Sequence, residues 1–158
     1  MAQSSQGLGD SGEGWLPVVE MIKNDLPHIK WVLPNAPTRT ITANFGMMMP
    51  GWFDVLSFDW NAKLEDREGH LQSAKAIDQH IQREVDDGIP SERIVLGGFS
   101  QGATMSLLTA FAAREDGQFG GRGGWCLGGV AALSGWLPLQ DTFQKVVPFF
   151  YSVGMGWC

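Results

Sequence analysis

The chain has 158 residues, 44% of them hydrophobic and 18% charged, with a formal net charge of -6 and a pI near 4.9. That length suits one domain or part of a larger one, and that composition excludes disorder over most of the chain. The acidic balance excludes nucleic acid as the main partner, because phosphate contacts need a concentrated basic surface.

No apolar run approaches the roughly 18–20 residues that span a bilayer, and residues 1–14 have neither the basic flank nor the apolar stretch of a secretory leader. Cys126 and Cys158 are too few for a disulfide framework. The expectation is a soluble, intracellular protein.

In chain order, residues 11–24 carry Trp15, Leu16, Val18, Val19 and Ile22 and predict a short helix capped by Asp10 or Ser11. Residues 28–33 predict a strand stopped by Pro34. Residues 35–61 predict a long irregular segment, either a functional loop or core-filling collar, with Met47 to Met49, Trp52 and Phe53 inside it. Leu71, Ala74, Ile77, Ile81 and Val85 recur every three or four residues, the stripe of an amphipathic helix that ends near Gly88 and Pro90. Residues 94–96 predict a buried strand, 101–114 a helix, and 129–134 and 146–152 two more strands. Between them, residues 117–129 hold seven glycines and predict a flexible surface excursion; the alternative, a phosphate-cradling loop, lacks a preceding strand and a following Lys-Ser/Thr. Only Arg122, Asp141 and Lys145 are charged from Gly117 onward, and so apolar a tail fits strands buried on both faces. The element order predicts an α/β fold with a mainly parallel sheet and flanking helices.

One motif carries chemistry. Gly98-x-Ser100-x-Gly102 lies between the β-branched run and the helical run. A nucleophile elbow needs that arrangement: a strand, a sharp turn holding the serine in a strained conformation, then a helix whose free N–H groups face the developing oxyanion. Glycines two places before and after the serine let strand and helix backbones pass closely. The alternative is a plain strand-to-helix turn with Ser100 as N-cap.

The sequence Gly-Gly-Phe-Ser100-Gln-Gly, with Gly-Leu8-Gly-Asp10-Ser-Gly-Glu-Gly-Trp15 near the N-terminus, resembles the acyl-protein thioesterase (phospholipase/carboxylesterase) family. Collinear matches follow at Leu33-Pro-Asn-Ala-Pro37, Met49-Pro-Gly-Trp-Phe-Asp54, Asp87-Gly-Ile-Pro-Ser91 and Leu133-Ser-Gly-Trp136-Leu-Pro138. The resemblance covers residues 7–150. It implies an α/β-hydrolase fold and a serine hydrolase that cleaves fatty-acyl thioesters from S-acylated proteins, and lysophospholipids or other carboxylic esters. It also implies a cytoplasmic and nuclear setting, peripheral encounters with membranes, and no cofactor or metal. By carry-over Ser100 is the nucleophile, and the backbone N–H groups of Gln101 and Leu8 are the oxyanion donors. The loop around residues 45–60 would line an acyl groove, or simply form core.

Two departures stand out. In this fold the triad runs Ser, then Asp or Glu, then His. The three histidines, His28, His70 and His80, all precede Ser100, so the triad cannot be completed in that order. His28 reads as structural at the start of a strand, and His70 and His80 as solvated positions on a helix. Where the family has an apolar strand before its Gly-Leu-Gly-Asp, this chain has Met-Ala-Gln-Ser-Ser-Gln6. The expectation is therefore a hydrolase domain incomplete at both ends, with residues 7–158 a partial domain and residues 1–6 a stub. It would be catalytically impaired and marginally stable, since unpaired inner sheet edges cost about 1–3 kcal/mol per buried group. The alternative function is non-catalytic binding of an acyl chain or a partner.

Overall fold

A computed structural model describes residues 2–112 and 125–141. In chain order the elements are β1 (Ala2–Ser5), α1 (Gly12–Ile22), β2 (Trp31–Val32), β3 (Thr38–Ile41), β4 (Met47–Pro50), α2 (Arg67–Asp86), β5 (Val95–Phe99), α3 (Gln101–Ala112) and β6 (Gly129–Leu133). Short 3-10 turns occupy Thr42–Asn44, Trp60–Ala62 and Ser91–Arg93. Four strands form a parallel sheet in the order β2-β1-β5-β6, and β3 and β4 form a separate antiparallel hairpin.

The strand expected to be missing is present. Ala2–Ser5 lies between β2 and β5, with Ala2 beside Trp31 on one side and Ala2 to Ser5 beside Val95 to Gly98 on the other. Residues 2–5 are thus part of the sheet and not a stub. Their polar composition hides the strand because strand preference is mostly set by neighbours, and here a parallel ladder on each side supplies backbone partners. The instability argued from unpaired inner edges loses its basis.

The helices follow the sequence pattern closely. Ser11 caps α1, its hydroxyl accepting from Gly14 N–H at 3.2 Å. Asp66 caps α2 in the same way, accepting from Gly69 N–H at 2.9 Å. The predicted stripe of α2 puts Ala74, Ile77 and Ile81 in the core, where they meet Ile94, Leu96, Met105, Leu108, Trp52 and Phe53. α3 packs against β1, β5 and β6 on one side and α2 on the other, which is why its sequence is apolar nearly all round.

Two other expectations change. The segment 35–61 holds the β3–β4 hairpin, with left-handed Phe45 (φ 54°) and Gly46 (φ 71°) at its tip. Strand alternation is too short there to register, and Phe-Gly is an uncommon turn pair. The strand expected at 28–33 shrinks to Trp31–Val32, and His28 lies in a turn. At the end of the glycine-rich segment, Gly128 is tightly packed rather than part of an excursion: its N–H donates to Ile94 O at 2.8 Å, and a Cβ there would come within 2.5 Å of Glu92 O. Residues 117–124 and the strand expected at 146–152 lie outside the described residues. Among the described residues no helix is long and apolar enough to cross a membrane.

Candidate active site

The strand order decides where chemistry can sit. From β1 the chain moves outward to β2, then returns across β1 to reach β5. The loops leaving the carboxyl ends of β1 and β5 therefore run in opposite directions and leave a crevice between them. Register places Ser5 beside Gly98, so the next residues bring Gly7 alongside Ser100. A Cβ on Gly7 would stand 3.6 Å from Ser100 Cβ. Leu8, the proposed second oxyanion donor, follows directly.

Ser100 is the turn between β5 and α3, in the left-handed region at φ 53°. Such a backbone costs a non-glycine residue about 1–3 kcal/mol and persists where the surroundings hold it. Here Ser100 N–H donates to Leu133 O on β6 at 2.9 Å, and Ser100 O accepts from Thr104 N–H at 3.0 Å, closing the first turn of α3. An N-cap residue typically has an extended backbone, and Ser100 does not. A Cβ on Gly98 would lie 2.2 Å from the Gly102 carbonyl carbon, so strand and helix touch backbone to backbone at these glycines. Gln101 opens α3, and its N–H has no acceptor within the helix. The positive end of the helix dipole lies at the same end of α3, beside Ser100.

The segment 50–53 packs across this crevice. Gly9 N–H donates to Pro50 O at 2.8 Å, and Trp52 Nε1–H donates to Gln6 O at 3.2 Å. The Gln101 carboxamide, 2% exposed, accepts from Trp52 N–H at 2.8 Å through Oε1 and donates to Phe53 O at 2.9 Å through Nε2. The Ser73 hydroxyl on α2 donates to Trp52 O. Sequence reasoning assigned a role to the backbone of Gln101 and missed its side chain. The only available signal was an amide side chain directly after Ser100, and nothing local says what it reaches.

The two readings of the 45–60 loop separate by residue. Trp52 and Phe53 are core. Phe45 (96% exposed), Met47 and Met48 are individually exposed along the hairpin, and Met49 Sδ lies 3.9 Å from a Cβ built on Gly9.

No histidine joins Ser100. His28 precedes β2, at the opposite end of the sheet from an elbow that follows β5. His70 is not solvated: it is 1% exposed, stacks on Phe53 with ring centroids 4.0 Å apart, and its Nδ1 lies 2.6 Å from Asp66 O. His80 lies farther along α2 and is half-buried. Asp141 is exposed, and Glu115 and Asp116 lie outside the described residues.

Burial lowers the pKa of His70 from its ordinary 6.5, against the raising influence of the Asp66 carbonyl. Burial acts on His80 in the same direction. Such an imidazole binds fewer protons folded than unfolded, so stability is full above pH 6.5 and falls as pH drops below it. Thermal midpoints should therefore fall between about pH 7.5 and about pH 5.5. His70→Leu should flatten that fall; an unchanged profile would show that His70 does not carry it.

Comparison with known proteins places this geometry. A family model described as phospholipase/carboxylesterase matches residues 6–149. The chain is similar to an acyl-protein thioesterase 1 of Cryptococcus neoformans, 43% identical over 157 residues, covering 94% of this chain and 62% of that protein. It is 46% identical over 144 residues to an acyl-protein thioesterase 1 of Mycosarcoma maydis, covering 85% of this chain and 56% of that one. Among solved structures it is similar to Arabidopsis thaliana SOBER1 (TM-score 0.78, 29% identity, 91% of this chain and 65% of that chain). It is also similar to Zea mays acyl-protein thioesterase 2 (TM-score 0.73, 32% identity, 95% and 62%). The chain spans about three fifths of the length of the curated relatives it matches.

Proposed function

The chain belongs to the phospholipase/carboxylesterase family, and from that membership we propose that Ser100 is the nucleophile of a serine hydrolase of the acyl-protein thioesterase type. The observation that carries this reading is the left-handed Ser100 at a β5–α3 turn closed by glycine contact. Its Oγ attacks the acyl carbonyl, and the N–H groups of Gln101 and Leu8 receive the oxyanion. The substrates are fatty-acyl thioesters of S-acylated proteins, with lysophospholipids and other carboxylic esters sharing the same chemistry. The exposed apolar side chains of the hairpin, Phe45, Met47 and Met48, support an acyl or lipid ligand. The described residues supply the nucleophile and the oxyanion donors, not the Asp and His of a triad.

That last point favours a second reading, in which these 158 residues bind an acyl chain or a partner without turning it over. A long-chain alkyl fluorophosphonate separates the two. Slow labelling at Ser100, with buffer taking the proton in place of a protein base, located by peptide mass and lost in Ser100→Ala, is the expected result. Retention of a palmitoyl ligand without any labelling would favour the binding reading.

A further inference from the structure

The two oxyanion donors come from chain segments more than ninety residues apart, and something must hold them at one distance. We infer that the Gln101 side chain is a positioning residue that sets the Leu8 N–H relative to the Gln101 N–H, acting through the strap Pro50–Phe53. The inference rests on the reading of Ser100 as nucleophile.

Each link of the coupling is a hydrogen bond. At one end, a single buried carboxamide grips two successive peptide groups, accepting from Trp52 N–H and donating to Phe53 O. At the other end, the strap holds the β1 turn on both sides of Leu8, through Trp52 Nε1–H to Gln6 O and Gly9 N–H to Pro50 O. Between these anchors a Cβ on Gly51 would stand 3.1 Å from Leu8 Cδ1, so the strap also packs against Leu8 itself. The Gln101 backbone is fixed as the first residue of α3, so its side chain transmits the elbow's position outward to Leu8. The chemistry of the amide matters. A carboxylate at position 101 still accepts from Trp52 N–H but sets an oxygen against Phe53 O, and an aliphatic side chain makes neither bond. Buried groups left unpaired this way shift the backbone that presents them.

The test uses the 158-residue chain and a hexadecyl fluorophosphonate. In the probe reaction Ser100 Oγ bonds to phosphorus, the P–F bond breaks, fluoride leaves, and the hydroxyl proton passes to buffer. The phosphoryl oxygen then occupies the oxyanion position. Gln101→Leu should label at Ser100 about tenfold to a hundredfold more slowly than wild type, the scale of a misplaced donor. Gln72→Leu, which removes an exposed amide on α2, should label at the wild-type rate. Gln101→Glu should be slow at pH 8. Relative to wild type it should recover toward pH 6, where its buried carboxyl is protonated and donates to Phe53 O. Amide exchange of residues 6–10, read on the same proteins, should quicken in Gln101→Leu and at high pH in Gln101→Glu.

A folded Gln101→Leu that labels and exchanges like wild type overturns the proposal. So does a Gln101→Glu profile parallel to wild type, which is read even where Gln101→Leu does not fold. Absence of Ser100 labelling in wild type, with exchange at 6–10 still controlled by residue 101, overturns the nucleophile reading and leaves the coupling as a structural one.

Discussion

Gly98→Val is expected to abolish cooperative folding, and Ser100→Gly to make the chain more stable. At position 98 there is no room for a side chain: its Cβ would lie 2.2 Å from the Gly102 carbonyl carbon, 2.4 Å from the Gly102 oxygen and 2.6 Å from Ala103 N. These are backbone atoms at the start of α3, so relief requires moving the helix off the sheet. α3 carries Ala103, Met105 and Leu108 into the core, and that burial would be lost with it. The cost should reach about 4 kcal/mol or more, at the top of the range for single substitutions, against a total stability of roughly 5–15 kcal/mol. At position 100 the sign reverses. The left-handed backbone strains serine and suits glycine, so Ser100→Gly should gain about 1 kcal/mol while removing the proposed nucleophile. Urea unfolding followed by circular dichroism reads both. A wild-type midpoint for Gly98→Val would mean that β5 and α3 do not pack as described.

Turnover of a palmitoyl thioester by the 158-residue chain should stay near background. Ser100 needs a base within hydrogen-bond reach to take its proton, and all three histidines lie among the described residues, away from it. His70 is held under Phe53 with Nδ1 against the Asp66 carbonyl. His28 stands before β2, and five residues of β5, at about 3.3 Å each, separate that end of the sheet from the elbow. Removing a triad base costs about six orders of magnitude in a well-studied serine protease, leaving only what the oxyanion donors contribute. Product formation followed by a thiol-reactive dye measures this directly. Robust turnover lost in Ser100→Ala would show that one of the three histidines serves as base after all.

These two results would bear on different parts of the machinery. The first concerns the contiguous elbow, which carries its own geometry. The second concerns the assembly of groups that the fold must bring from elsewhere.

That distinction also separates what the sequence by itself determined from what tertiary structure decided. The elbow was legible because strand, turn and helix are consecutive and the glycines that permit their contact sit two residues on either side of Ser100. The α2 stripe was legible because a helix repeats its buried face every three or four residues, and Ala74, Ile77 and Ile81 obey that period. Beyond such local patterns the residues were silent. Ala2–Ser5 has no strand signature of its own and becomes the middle of the sheet only because β2 and β5 offer it backbone partners. His70 looks like a surface residue of a charged helix until Phe53 covers it. Gln101 grips the backbone of Trp52 and Phe53 from 49 and 48 residues away. Burial and hydrogen bonding between distant segments are properties of the packed chain: a residue's neighbours in sequence fix its backbone preferences, but only the closed fold decides which groups it meets and which water it loses.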